Sequence, residues 1–307
     1  GGKNGLGAKL AVIFSTKTIL TVVNEDYKKS YVQTFTNNMR TKGVPVITDS
    51  TDKNMVRLEC FPEFSRFENS TEFTQDMMDY FKRRVYDISA SSPNGISVYL
   101  NNELIDMKDF KSYVKLYEPD IREEDIIHTK AHERWEIALV KTNDSHRQIS
   151  FVNNIHTYKG GKHVSYVMSK IENHLFNIIK KKAPSANKKN IKNYVHIYVN
   201  CFIDNPAFDS QTKGQMTTNQ TKFGSVFDFD KEFYKKLEKC GIIENVIDFS
   251  EFKVNLDAKK TDGKKQSRVR EIPKLHDAGF AGHRTKSKDC ILILTEGDSA
   301  ASLRSEE

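Results

Sequence analysis

Glycines flanked by lysines supply the first chemistry in the chain. The run Gly2-Lys3-Asn4-Gly5-Leu6-Gly7-Ala8-Lys9 sets three glycines where backbone N–H groups can approach a polyphosphate, with two lysines beside them. It is not a Walker A loop, because GxxxxGK[ST] is absent, and taken alone it also reads as an ordinary turn. Gln211-Thr212-Lys213 follows an apolar run and the turn-prone Asp204-Asn205-Pro206. A lysine on such a loop can reach a terminal phosphate and a glutamine can orient it, stabilising charge during phosphoryl transfer; the plain alternative is a solvated surface lysine. Glu296-Gly297-Asp298-Ser299 comes directly after the apolar run Cys290 to Leu294. Carboxylates at the C-terminal end of a strand commonly hold a divalent cation, and Ser299 could cap a following helix; a turn with a capping box explains the same four residues. Finally, Lys180, Lys181 and Lys182, extended by Lys188, Lys189 and Lys192, form a basic cluster with no interleaved aromatics. Such a patch grips phosphates without reading bases, or is simply a solvated helix end.

The hydrophobic pattern outlines the elements that must carry these residues. Leu10 to Phe14 and Thr18 to Val23 are apolar and β-branched, as buried strands are. Met78, Phe81, Val85 and Ile88 recur at three- and four-residue steps behind Thr74, which predicts an amphipathic helix with Thr74 as its N-cap. Ile96, Val98 and Leu100 alternate before Asn101-Asn102, a strand entering a tight turn. Further on, Trp135, Ile137 and Leu139 share one strand face, and Ile149 to Val152 forms the next strand. Val164, Val167, Met168, Ile171, Leu175 and Ile178 trace one side of a long helix that ends in the lysine cluster. Tyr194 to Ile203 is apolar on both faces and predicts a central strand. Asp230 caps a helix bearing Phe233, Leu237 and Cys240, with Gly241 at its stop. The pattern divides the chain into a first unit over residues 1–105, a second over 106–252, a polar and basic linker over 253–288, and a last strand within 289–307.

Composition limits what such a chain does. Its 307 residues suffice for about two domains with cores of their own, and 37% hydrophobic against 29% charged residues is globular composition. A balance of 48 Lys+Arg against 41 Asp+Glu leaves a net charge of +7, which suits a polyanionic partner. The four cysteines, Cys60, Cys201, Cys240 and Cys290, have no ligand spacing, so neither a zinc site nor a disulfide framework is indicated and a reducing compartment fits best. The longest apolar stretches fall far short of the roughly 20 residues of a membrane span, and no signal peptide is visible. The chain opens directly on its glycine loop and stops soon after Ser299, so it reads as a piece of a longer protein.

Order and spacing join these motifs. GGKNGLGAKL with IFSTK, SFVNNIHTYKGGKHV (Ser150 to Val164), FDSQTK (Phe208 to Lys213), and IPKLHDAG followed by LILTEGDSA (Leu292 to Ala300) together resemble the type IIA DNA topoisomerases, on their eukaryotic topoisomerase II branch. The resemblance covers essentially the whole chain. It implies an α+β fold: the C-terminal part of a GHKL (Bergerat) ATPase α/β sandwich, a ribosomal-S5-like transducer domain, a linker, and the first Toprim strand. It implies an ATP-dependent enzyme passing one duplex through a double-strand break in another, with this chain as the ATP-sensing and transducing segment, incomplete for catalysis. The family's ATPase general base precedes the glycine loop, and its Toprim Asp pair and nucleophilic Tyr follow Glu307.

Carried over, the resemblance has Gly2, Lys3, Asn4, Gly5, Leu6, Gly7, Ala8 and Lys9 wrapping the ATP phosphates, joined by Gln211, Thr212 and Lys213, with Lys213 sensing ATP against ADP. It makes Glu296 a Mg²⁺ ligand and acid/base group of the DNA cleavage centre, and Lys180 to Lys192 a contact for the transported duplex. The implied partners are double-stranded DNA and a second copy of the protein, joined through regions outside these residues. The implied location is the nucleus of a eukaryotic cell, or the host cytoplasm for a large DNA virus. Lys3 stands where arginine is common and Leu6 where an aromatic is common, which alters packing over the nucleotide but spares the backbone cradle. Ala301-Ser302 after EGDSA departs from bacterial gyrase. His156 and His163 fall in a structural segment and are read as core or capping residues. Two other readings stay open: a non-enzymatic basic DNA-binding module, and another GHKL ATPase such as a MutL-type repair protein, which EGDSA argues against.

Overall fold

Gly5 opens the described structure in a left-handed conformation (φ +62°) that starts helix α1 (Leu6–Ile13). The computed structural model describes residues 5–67, 71–93, 95–143, 145–261, 280 and 285–291. Leu10 to Phe14 is therefore helix and not the expected buried strand, and Leu10 and Ile13 are exposed. The reason is legible afterwards. Leu6, Leu10 and Ile13 are spaced four and three apart, and the Ala and Leu around them are strong helix formers.

Strand character begins at Ser15. β1 (Ser15–Asn24), β2 (Lys29–Thr36), β3 (Thr41–Lys42), β4 (Val46–Asp49) and β5 (Met55–Pro62) make an antiparallel sheet ordered β3-β2-β1-β5, with β4 also paired to β2. Helix α2 (Gln75–Ser91) follows, capped as expected by Thr74, whose hydroxyl accepts from Met77 N–H. Its buried residues are Asp87, Ala90 and Ser91, whereas Met78, Phe81 and Ile88, the expected core face, are exposed. A two-residue hairpin, β6 (Tyr99–Leu100) with β7 (Glu103–Leu104), turns at Asn101-Asn102, both at positive φ. That is the turn geometry asparagine tolerates best.

The second unit is a three-layer arrangement around one mixed sheet. Its elements are α3 (Phe110–Tyr117), β8 (Ile127–His132), β9 (Trp135–Lys141), β10 (Arg147–Val152), β11 (Ile155–His156), α4 (Lys162–Lys182), β12 (Val195–Cys201), α5 (Lys231–Lys239) and α6 (Ile242–Thr261). Strand order is β11-β10-β12-β9-β8, so β12 is central as its doubly apolar sequence predicts, and it runs parallel to β10 across the α4 crossover. Alternation along β9 sorts the two cores. Trp135, Ile137 and Leu139 meet Val167, Ile171 and Leu175 of α4, while Ala138 and Val140 meet Phe110, Tyr113 and Val114 of α3. Asp230 caps α5 through Phe233 N–H, and Gly241 ends it at φ +88°. Helix α6 then runs on to Thr261, so the stretch expected to be linker from residue 253 starts as helix. Of the strand expected at Cys290 to Leu294, only Cys290 and Ile291 are described, and neither is in regular structure.

Candidate nucleotide and DNA site

At the glycine loop, the N–H groups of Leu6, Gly7 and Ala8 precede the first intrahelical bond, which Lys9 N–H makes to Gly5 O at 3.2 Å. A helix start with free donors is an anion site, and a Cβ built at Gly5 or Gly7 would meet no protein atom within 4 Å. Among the described residues, nothing crowds the backbone at Gly5 and Gly7. Gly2, Lys3 and Asn4 lie outside the described residues.

The Gln211-Thr212-Lys213 loop is held in place by its backbone. Gly214 O accepts from Lys159 N–H (2.9 Å), Gly160 O accepts from Met216 N–H (3.0 Å), and Met216 O accepts from Lys162 N–H (3.1 Å). This ladder welds the loop to the segment that starts α4. Gly161, at φ +143°, lies flat against Met216, where a Cβ would overlap the Met216 carbonyl oxygen. Gly214 passes under the Tyr158 ring, 2.7 Å from where its own Cβ would stand. Asp209 closes the loop by accepting from Gln215 N–H (3.1 Å), and that bond, helped by Lys159 at 3.5 Å, holds its carboxyl below the usual range. Lys213 itself has φ +59°, and its ammonium lies 6.0 Å over the Phe208 ring. Gln211 and Thr212 are exposed. Among the described residues no hydrogen bond or ion pair joins Gly5 to Lys9 with Gln211 to Lys213, and Lys213 makes no side-chain ion pair. Sequence reasoning missed the docking residues Tyr158, Asp209, Gly214 and Met216; the Gly160-Gly161 pair was the one available signal.

Lys180, Lys181, Lys182, Lys189 and Lys192 are exposed at the end of α4 and on the 3-10 segment Lys188–Tyr194. Lys188 differs from them. It donates to Asn173 Oδ1 (2.6 Å) and lies 3.9 Å from Glu172, which makes it a brace for α4 before it is a phosphate contact. His163 is fully buried, with Nε2 against Thr157 Oγ1 (3.1 Å), and burial pushes its pKa down to about 3. His156 is pushed down to about 4, again mainly by burial. His163 is a core residue, as expected, while His156 is half-buried on the edge strand β11, its ring 5.5 Å from that of Phe151. Glu296 lies outside the described residues, and among those described no group of three His, Cys, Asp or Glu could hold a metal ion.

The family model described as DNA gyrase B matches residues 103–267, from β7 through the second unit and beyond. The chain belongs to this family, on its eukaryotic topoisomerase II side. It is 43% identical to DNA topoisomerase 2 of Arabidopsis thaliana over 312 residues, covering 99% of the chain, and 40% identical to that of Drosophila melanogaster over 311. In each case it spans 21% of the relative's length. Among solved structures, the ATPase region of Saccharomyces cerevisiae topoisomerase II bound to ICRF-187 superposes with TM-score 0.73 at 37% identity, over 81% of this chain and 65% of that one. The ATPase and transducer domains of DNA topoisomerase II from Balamuthia mandrillaris give TM-score 0.77 at 31% identity, over 83% and 66%. The α+β architecture is thus that of the ATPase and transducer domains of this family.

Proposed function

We propose that this chain is the ATP-sensing and transducing segment of an ATP-dependent type II DNA topoisomerase that passes one double-stranded DNA through another and works as a homodimer. The observation that carries the reading is the backbone ladder at Gly160 to Lys162, which presents Lys213 on a loop fixed to the start of the 21-residue helix α4. In this reading the free N–H groups of α1, with Lys9, hold the nucleotide phosphates, and Gln211 and Lys213 contact the terminal phosphate. ATP supplies the free energy and the charge that Lys213 detects. Because the loop is tied to α4, a shift of Lys213 on losing that charge moves α4, whose far end carries Lys180, Lys181 and Lys182. Those lysines, with Lys189 and Lys192, hold duplex phosphates without base preference. Glu296 serves as the Mg²⁺ ligand and acid/base group at DNA cleavage, on the strength of the EGDSA motif.

The test is relaxation of supercoiled plasmid by the complete reading frame, with Lys213→Gly and Glu296→Ala variants. Glycine suits the positive φ at residue 213, so it removes the ammonium while keeping the loop shape. At least a tenfold loss of ATP-dependent relaxation is expected in each. Full activity in Lys213→Gly would refute the sensing role. No relaxation by the folded wild type, with salt-dependent DNA binding indifferent to ATP, would leave a DNA-binding module.

A further inference from the structure

The segment from Thr157 to His163 carries the Lys159, Gly160 and Lys162 rungs of the ladder that holds the Lys213 loop, and two of its residues are glycines. Glycine loses the most freedom on ordering, so a segment of this kind keeps one shape only if its ends are fixed from outside. Both ends are. Thr157, His163 and Ser150 of β10 are wholly buried. Thr157 Oγ1 lies 3.1 Å from His163 Nε2 on the first turn of α4, 2.6 Å from Ser150 Oγ and 3.0 Å from Ser150 O. Ser150 Oγ is 2.8 Å from Gln148 Oε1, and Gln148 Nε2 donates to Tyr158 O (2.9 Å) and Thr157 O (3.3 Å). Within the segment, Thr157 O also accepts from Gly160 N–H (2.8 Å), which closes the turn.

Burial decides where the hydrogens lie. Among the described residues His163 Nδ1 has no partner, and a buried bare lone pair is tolerated better than a buried bare N–H. The hydrogen therefore sits on Nε2, His163 donates to Thr157, and Thr157 passes its own hydrogen to Ser150 O. Elements that share only apolar contacts can slide past one another; directed hydrogen bonds fix the distance and angle of Thr157 against α4 and β10 at once. Apolar groups of the same shape would stabilise the interior about as well, so stability does not require these polar ones. We infer that Thr157, held by His163 and Ser150, is a positioning residue for Lys213: it fixes the segment to which the Lys213 loop is laddered, and so sets whether the ammonium meets the terminal phosphate of a nucleoside triphosphate. This rests on the function proposed above. The network lies wholly within the second unit, so nothing in it ties the Lys213 loop to α1, against which that loop must shift.

The test sets ATP against ADP, because ADP has no terminal phosphate for Lys213 to meet. KM for ATP in hydrolysis and the inhibition constant of ADP are measured on the complete protein with Thr157→Val, which removes one hydroxyl at constant size, and with Thr157→Ser, which keeps it. Cooperative urea unfolding checks each sample. Should Thr157→Val not fold, Thr157→Val with His163→Leu, which leaves no ring nitrogen stranded, takes its place. The expected result in Thr157→Val is a KM for ATP raised at least fivefold with an ADP constant within twofold of wild type; in Thr157→Ser both constants stay within twofold. Lys213→Gly in parallel should give the same split, and adding Thr157→Val to it should move neither constant by more than twofold, since the two residues act in one line. An unchanged ratio of the ATP and ADP constants in Thr157→Val, or losses that add to those of Lys213→Gly, overturns the positioning role. A wild-type KM for ATP in Lys213→Gly would instead sink the sensing reading and this inference with it, an outcome visible in that control alone.

Discussion

Gly161 occupies a position no side chain can share. Its φ of +143° belongs to glycine alone, and the Met216 carbonyl oxygen fills the space a Cβ would take. Gly161→Ala is expected to destabilise the protein by roughly 3 kcal/mol or more, strain and clash together, as read from urea unfolding, and to release the loop bearing Lys213. Retention of wild-type stability would mean that the ladder to Met216 is not needed. Two residues on, His163 sets a pH dependence. Burial lowers its pKa from 6.5 to about 3, so between those values the unfolded chain binds a proton that the folded chain refuses. Protons therefore favour unfolding, and stability falls as pH drops through that window. For one such histidine the loss by pH 4.5 is on the order of 2 kcal/mol. His163→Gln should flatten the stability profile between pH 6.5 and 4.5; an equally steep profile would place the dependence elsewhere.

Helix α4 shows how an element divides its labour along its length. Its start is fixed to the Lys213 loop, its middle fills the core with Val167, Ile171 and Leu175, and its last turn holds Lys180, Lys181 and Lys182 in solvent. Cations there favour the carboxyl end of the helix dipole, so the cluster is stable before any partner arrives. Replacing the three by alanine is expected to leave the fold intact and to reduce the slope of log DNA affinity against log salt by about 2 to 3, roughly one unit for each phosphate no longer neutralised. An unchanged slope would show that duplex DNA binds elsewhere. This helix was legible in the sequence because its apolar stripe is long and regular. β9 was legible because Trp135, Ile137 and Leu139 alternate on one face, and β12 because both its faces are apolar. The short run Leu10 to Phe14 was not, since five apolar residues suit a strand or a helix and the spacing back to Leu6 decides the matter. For α2 the cap and extent were readable but the buried face was not. Asp87 looks like a surface residue until Tyr113, far along the chain, supplies its partner. The ladder joining Gly160 to Met216 was equally hidden, because only the tertiary fold brings those segments together.

Across the whole molecule, buried apolar side chains are distributed very unevenly. Among the described residues up to Pro93 only Val23 and Ala90 are buried and apolar, while both hydrophobic cores gather around the second sheet. Burial of a full aliphatic or aromatic side chain contributes about 1.5–3 kcal/mol, so the two units differ widely in what holds them. Val46, Ile47, Val56, Leu58 and Phe61 of the first sheet are exposed, and its strands rest mainly on their mutual hydrogen bonds. The single tryptophan, Trp135, lies in the larger core of the second unit among Tyr166, Phe223 and Phe227. An optical melt of this chain should therefore depend on the probe. Circular dichroism, which sees every strand and helix, is expected to begin its transition well below the temperature at which Trp135 fluorescence shifts; coincident curves would mean that the units melt as one. With such curves a single melting temperature would not describe this chain, and indole emission alone would report it as more robust than its first unit.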